Sequence, residues 1–274
     1  MNILMVGGLV PWHPASGGGQ VIAYNLACAL AQAGHRVHYV AFAPKHLQRE
    51  LVWGKVTYAS QPTGLLSTVM RILKTTRDRD LKAYDVIHVH AAADTFGHYL
   101  GYLLCRVLAV KPPLALGIYT PQLHRLPRSL DDVGWRCLGR TANVVFALSK
   151  FSRSNLIHTY GIPPSRIVTM YGGVDQSFFV PKKPPGRGTR KLLFVGRLAG
   201  HLEGRRQQKG IDLLLKALPA IIAHHEVTLE IVGDGPLLEA YRTMACELGV
   251  QHCTKFSGFA EYNQMPSHYA GADL

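Results

Sequence analysis

Short β-rich apolar runs, separated by longer stretches of helical period, recur along this chain, break once and then restart. The runs fall at residues 3–6, 37–42, 86–89, 114–118, 144–148 and 167–170. Between several of them lie helical segments such as 20–33, which stops at Gly34, a natural residue for a left-handed helix end. Strands apolar on both faces and joined by helices predict a parallel sheet covered on both sides.

The break is Val180-Pro181-Lys182-Lys183-Pro184-Pro185-Gly186-Arg187-Gly188, which resists helix and strand alike. We therefore expect a Rossmann-like domain over 1–180, a linker over 181–191 and a partial second domain over 192–274. After the linker the pattern predicts strands at 192–195, 228–232 and 255–257, with helices at 210–223, 236–248 and 263–270. A doubly wound sheet needs strands on both sides of its first one. Only three strands are complete here, so the chain is expected to be C-terminally truncated, with the outer side of strand 192–195 unpaired and prone to aggregate.

Lys and Arg number 30 against 17 Asp and Glu. The excess lies before the linker, where 18 basic side chains meet 8 acidic ones. Arg71, Lys74, Arg77, Arg79 and Lys82 concentrate it in segment 65–82, whose Leu65, Leu66, Val69, Ile72 and Leu73 share one helical face. That pattern suits peripheral contact with an anionic membrane, and equally an ordinary solvated helix. No nucleic-acid-binding motif accompanies the charge, so nucleic acid is not expected as a partner. The start lacks a signal peptide's basic n-region, and no apolar stretch reaches the length of a bilayer span. Five scattered cysteines without a CxxC pair suit a reducing cytosol and no metal finger. The expected location is cytoplasmic, with the inner face of the membrane as a candidate.

Several groupings carry chemistry. Gly17-Gly18-Gly19 opens the first helix, where glycines let backbone N–H groups approach a phosphate and the helix start favours negative charge. A tight strand-to-helix turn asks for glycine as well. Arg197 directly follows a strand and Lys209 precedes the next helix, so together they can neutralise a diphosphate leaving group without a metal. Gly233-Asp234-Gly235-Pro236 is a turn into a helix with proline in its first turn. His88 and His90 alternate onto one face at the end of a strand. They read as an acceptor-pocket pair or as buried, hydrogen-bonded histidines, and no metal site is assigned.

Three stretches together resemble family-4 retaining glycosyltransferases of the GT-B fold, in which two Rossmann-like domains face each other across a cleft. They are the first strand with Pro11-Trp12 and the glycine run; Phe194-Val195-Gly196-Arg197-Leu198 with Lys209-Gly210-Ile211-Asp212; and Ile231-Val232-Gly233-Asp234-Gly235-Pro236. Leu148-Ser149-Lys150-Phe151-Ser152 and Gly173-Val174-Asp175 add to the likeness. The resemblance implies transfer of a sugar from a nucleotide diphosphate sugar to an acceptor, with retention of configuration and no metal cofactor. The basic segment 65–82, rather than the resemblance, makes a lipid-linked or cell-envelope glycan one candidate acceptor. The resemblance further implies that Gly18, Gly19, Arg197 and Lys209 bind the donor diphosphate. Gly233, Asp234, Gly235 and Gly258 would lie on the nucleotide side, and His88 and His90 near the acceptor.

The chain departs from the family at the Thr-x-His step, where it reads Gly117-Ile118-Tyr119-Thr120 with His124 further on. His90, His124 and Tyr119 all stay open as catalytic candidates. Ten residues separate Leu198 from Lys209, which makes Arg205 and Arg206 rivals for the diphosphate. The family's Glu-x7-Glu region would follow Leu274. Two further readings are a non-catalytic truncated homologue that binds a nucleotide or partner, and a GT-B-fold nucleotide-sugar epimerase.

Overall fold

A computed structural model describes residues 1–13, 16–51, 54–59, 83–91, 113–118, 136–137, 139–174, 188–199 and 209–274. Outside these lie the basic segment 65–82, Tyr119, His124, Asp175, linker residues 181–187, Arg205 and Arg206. The chain divides into two compact units, Met1–Gly173 and Val174–Leu274.

In the first unit the described strands are β1 (Asn2–Leu9), β2 (Arg36–Phe42), β3 (Lys55–Ala59), β4 (Val86–Ala91), β5 (Leu114–Ile118), β6 (Val144–Ala147) and β7 (Ile167–Thr169). They form one seven-stranded sheet, every pair parallel, in the order β3-β2-β1-β4-β5-β6-β7. The order reverses between β1 and β4, which makes their C-terminal ends a topological switch point, where open α/β sheets bind ligands. Helix α1 (Gly18–Gln32) follows β1, and α2 (Lys150–His158) follows β6. At the end of α1, the amides of Gly34 and His35 donate to the carbonyls of Ala31 and Leu30, and Gly34 has φ +85°. The glycine expected to stop that helix does so.

Alternation along the strands separates two cores. Leu4, Ile87, Val89, Leu114, Leu116 and Val145 pack on one face with Leu156 and Tyr160. Ile3, Met5, Val37 and Tyr39 pack on the other, with Ala27 of α1. His88 lies in register with Met5 and Ala115, on this second face. The sequence reading overlooked β3, an edge strand of pattern Lys-Val-Thr-Tyr-Ala. Paired on one side only, such a strand can alternate polar and apolar residues and never forms a continuous apolar run.

The second unit carries β8 (Arg190–Val195), α3 (Ile211–Ile222), β9 (Val227–Val232), α4 (Leu238–Glu247), β10 (Thr254–Gly258) and α5 (Met265–Ala270). Its parallel sheet runs β10-β9-β8. Leu215 and Leu218 of α3 and Tyr241 and Ala245 of α4 pack against Leu229 and Ile231. The outer side of β8 departs from expectation. After α5 the chain turns along it, so that the Asp273 amide donates to the Lys191 carbonyl at 2.8 Å and the Leu193 amide to the Leu274 carbonyl at 2.8 Å. Unpaired edge groups on β8 attract any extended segment able to satisfy them, and residues 273–274 are placed to do so.

The opposite face of this sheet buries a charge. Glu230 is 3% exposed and is reached by Lys191 at 2.5 Å, His268 at 3.3 Å, Lys255 at 3.6 Å and the Ser257 hydroxyl at 2.6 Å. Burial alone would raise its pKa. Hydrogen bonds from Lys191 and Ser257, with the charges of Lys191 and His268, outweigh that and hold it at about 2. His88 shows the reverse case, since burial lowers its imidazole to about 4.

Both groups destabilise the fold in acid, in different windows. A folded-state pKa of about 4 for His88, below its ordinary 6.5, gives stability that is complete above pH 6.5 and lost as pH falls towards 4. Glu230, normally at 4.5, gives stability present above pH 4.5 and lost as pH falls towards 2. Each contributes a slope of about 1.4 kcal/mol per pH unit within its window. Urea denaturation across pH should find the slope between 6.5 and 4 reduced in His88→Leu and kept in Glu230→Gln. Equal slopes in the two variants would contradict this assignment.

Candidate functional site

In the second unit each strand runs into glycine at its C-terminal end: Gly196 after β8, Gly233 after β9, and Gly258 closing β10. Backbone hydrogen bonds join the three turns. The Gly196 amide donates to Val232 at 3.0 Å, Leu198 to Asp234 at 2.9 Å, Gly233 to Gly258 at 2.7 Å and Leu237 to Leu198 at 3.1 Å. The turns come so close that only glycine fits at two points. A Cβ on Gly233 would lie 1.9 Å from the Gly196 carbonyl oxygen, and one on Gly235 would lie 2.2 Å from that of Leu198. Both have positive φ, +148° and +154°, which other residues rarely adopt.

This weave fixes the two cations. Leu198 is wholly buried, so the residue before it is turned outward, and Arg197 is exposed at the end of β8. Lys209 is exposed just ahead of α3, and its Cγ lies 3.7 Å from where a Cβ on Gly196 would stand. The structure therefore brings Lys209 to the residue beside Arg197 although ten residues separate it from Leu198. Neither has a carboxylate partner among the described residues. Asp234 turns back on its own loop, its Oδ1 accepting the Gly235 amide at 2.7 Å. Gly258 has φ +73° and leads to Phe259, which is 37% exposed.

In the first unit, Gly17 caps α1 and its amide donates to Gln20 Oε1 at 3.0 Å. Among the described residues nothing lies within 4 Å of the position a Gly18 Cβ would take, and the first turn carries no acidic residue. Packing among the described residues does not ask for glycine at 18. His88 and His90 are 4% and 2% exposed on β4. The His88 ring stacks on Phe146 with centroids 6.1 Å apart, and His90 is in register with Gly117 of β5. Among the described residues no group of three or more His, Cys, Asp or Glu is placed to hold a metal, and no helix is long and apolar enough to cross a membrane.

Sequence reasoning missed that the three turns are one unit. The signal was present, because glycine stands at the end of every strand of the second sheet. Gly233→Ala should cost at least about 2 kcal/mol from strain and displaced backbone, whereas Gly18→Ala should stay within about 0.5 kcal/mol. Chemical denaturation of the two variants checks this, and equal stabilities would contradict the close approach of the turns.

Comparison with known proteins gives a consistent picture. The sequence profile of Glycosyltransferase Family 4 matches residues 16–178, and that of Glycosyl transferases group 1 matches residues 189–274. An uncharacterized glycosyltransferase of Methanocaldococcus jannaschii is 23% identical over 97% of this chain and 72% of its own length. A GDP-mannose-dependent alpha-(1-6)-phosphatidylinositol monomannoside mannosyltransferase of Mycolicibacterium smegmatis is 30% identical over 52% of this chain. The match covers 41% of that relative, so the chain spans less than half its length. Among solved structures, Anabaena HepE in complex with UDP and glucose superposes with a TM-score of 0.71 at 21% identity, covering all of this chain and 73% of HepE. That likeness gives the fold, two Rossmann-like units of GT-B type. With a profile match over more than half its residues, the chain belongs to Glycosyltransferase Family 4.

Proposed function

We propose that the protein transfers a sugar from a nucleotide diphosphate sugar to an acceptor with retention at the anomeric carbon, and that Arg197 and Lys209 bind the donor's diphosphate. The observation that carries this reading is the woven set of turns in the second unit, which presents two exposed cations, without carboxylate partners among the described residues, where α/β sheets bind ligands. As the bond from the anomeric carbon to the diphosphate oxygen breaks, its electron pair and negative charge pass to that oxygen. Fixed cations there are worth more in the transition state than in the ground state. Arg197 and Lys209 stand in this role for a divalent cation.

The amides of Gly18 and Gly19 at the start of α1 are the anion site of the first unit. Gly233, Gly235 and Gly258 shape the nucleotide side, with Asp234 holding the turn. HepE was solved with UDP and glucose, and the mycobacterial relative is named for GDP-mannose, which supports a nucleotide sugar as donor. That relative's acceptor is a phosphatidylinositol mannoside, which supports a lipid-linked or cell-envelope glycan here. An acceptor of that kind gives segment 65–82 its purpose, contact with anionic lipid at the cytoplasmic face.

Transfer and donor hydrolysis are measured with common UDP-, GDP- and ADP-sugars. Arg197→Ala and Lys209→Ala should each lower kcat/KM by about 10²–10³, with the fold intact and wild-type turnover kept in excess EDTA. Nucleotide binding with no transfer or hydrolysis from any donor would reduce the protein to a binding module. Unchanged kcat/KM in both variants would remove them from the site.

A further inference from the structure

Trp12 lies in the turn between β1 and α1, and its side chain is tied to three other parts of the first unit. Its indole Nε1–H donates to the Leu47 carbonyl at 2.6 Å. The ring meets Tyr24 of α1 edge-on, with centroids 5.6 Å apart. The Arg49 guanidinium covers its face, 4.9 Å from the ring centroid. Arg49 is itself fixed by β3, because the Tyr58 hydroxyl accepts from its amide at 3.1 Å and donates to its carbonyl at 2.5 Å. Two successive backbone bonds carry the chain onward from this clasp: His13 donates to Val10 at 3.0 Å and Ser16 to His13 at 2.8 Å. Gly17, which caps α1, comes next.

Helix α1 is poorly placed to locate its own start. Its fully buried side chains are Ala23 and Ala27, and Leu26 and Leu30 pack partly buried further along, so residues 18–22 at its start contribute no buried side chain to interlock with the sheet. Aromatic edge contacts and a cation over an indole face are directional, and they fix position at a helix start that buries no side chain of its own.

We propose that Trp12, held by Leu47, Tyr24 and Arg49, is a positioning residue that sets where the first turn of α1 stands and thereby how well the donor's anionic group is received there. The second clause rests on the proposed function; the first does not.

The test uses the full chain with Trp12→Ala and Trp12→Phe, and two readouts. The amides of Gln20 and Val21, which donate to the Gly17 carbonyl, report on the start of α1 by hydrogen exchange. Their exchange should speed up at least about tenfold in Trp12→Ala, with β2 and β8 unchanged, and Trp12→Phe should restore most of the protection. In the same Ala variant KM for the nucleotide sugar should rise about tenfold with kcat within about threefold. Unchanged exchange in folded Trp12→Ala would overturn the proposal whatever the protein's activity. Faster exchange with unchanged KM would overturn the positioning role and place the donor away from α1, leaving Arg197 and Lys209 to be judged by their own variants. Should the Ala variant fail to fold, Trp12→Phe, which loses the bond to Leu47 and part of the ring area but keeps an aromatic face, carries both readouts with smaller changes.

Discussion

The contact between Gly233 and the Gly196 carbonyl governs the glycine-turn end of the second unit, where the donor site is proposed. Two strand ends approach until no side chain fits between them, and backbone hydrogen bonds take over the work that side-chain packing does elsewhere. The placement of both proposed donor-binding cations follows from that closeness. Leu198 is drawn into the core, Arg197 is turned outward, and Lys209 is brought alongside Gly196 from the far side of a ten-residue insertion. A cation held by rigid backbone needs no rearrangement as charge develops on a leaving group, which is the condition for efficient electrostatic stabilisation.

Behind those turns, the same sheet carries the buried carboxylate of Glu230. Replacing a buried ionic network by apolar packing is often neutral or stabilising, so its presence is weak evidence for stability as such. Its geometry suggests registry instead. Glu230 on β9 links Lys191 on β8, Lys255 and Ser257 on β10, and His268 on α5. Each neighbouring element is thereby fixed against the central strand. Residues 273–274, which follow α5 and pair with β8, are carried into place by the same network.

Much of this was legible in the chain. Apolar strands and helical stretches in alternation gave both parallel sheets, and Gly34 ended its helix as expected. Arg197 could be placed at a strand's C-terminal end because it directly follows an apolar run, and the burial of Leu198 explains why it faces outward. Other features were hidden for physical reasons. An edge strand such as β3 is half polar and lacks the continuous apolar run. The pairing of residues 273–274 with β8 depends on unsatisfied edge groups, which no local pattern records. For His88 and His90 the sequence left an acceptor pocket and burial both open; both are buried, because alternation tells which residues share a face and not how deeply that face is covered. Glu230, one acid within an apolar strand, becomes intelligible only when its partners on β8, β10 and α5 are brought together.

Amide chemical-shift mapping during titration with UDP and with GDP tests the central claim most directly. The account predicts that the largest changes fall on Gly196–Leu198, Lys209–Gly210, Gly233–Gly235 and Gly258, as one group and with one affinity. Shifts confined to other surfaces, or these turns left silent at saturating nucleotide, would contradict it.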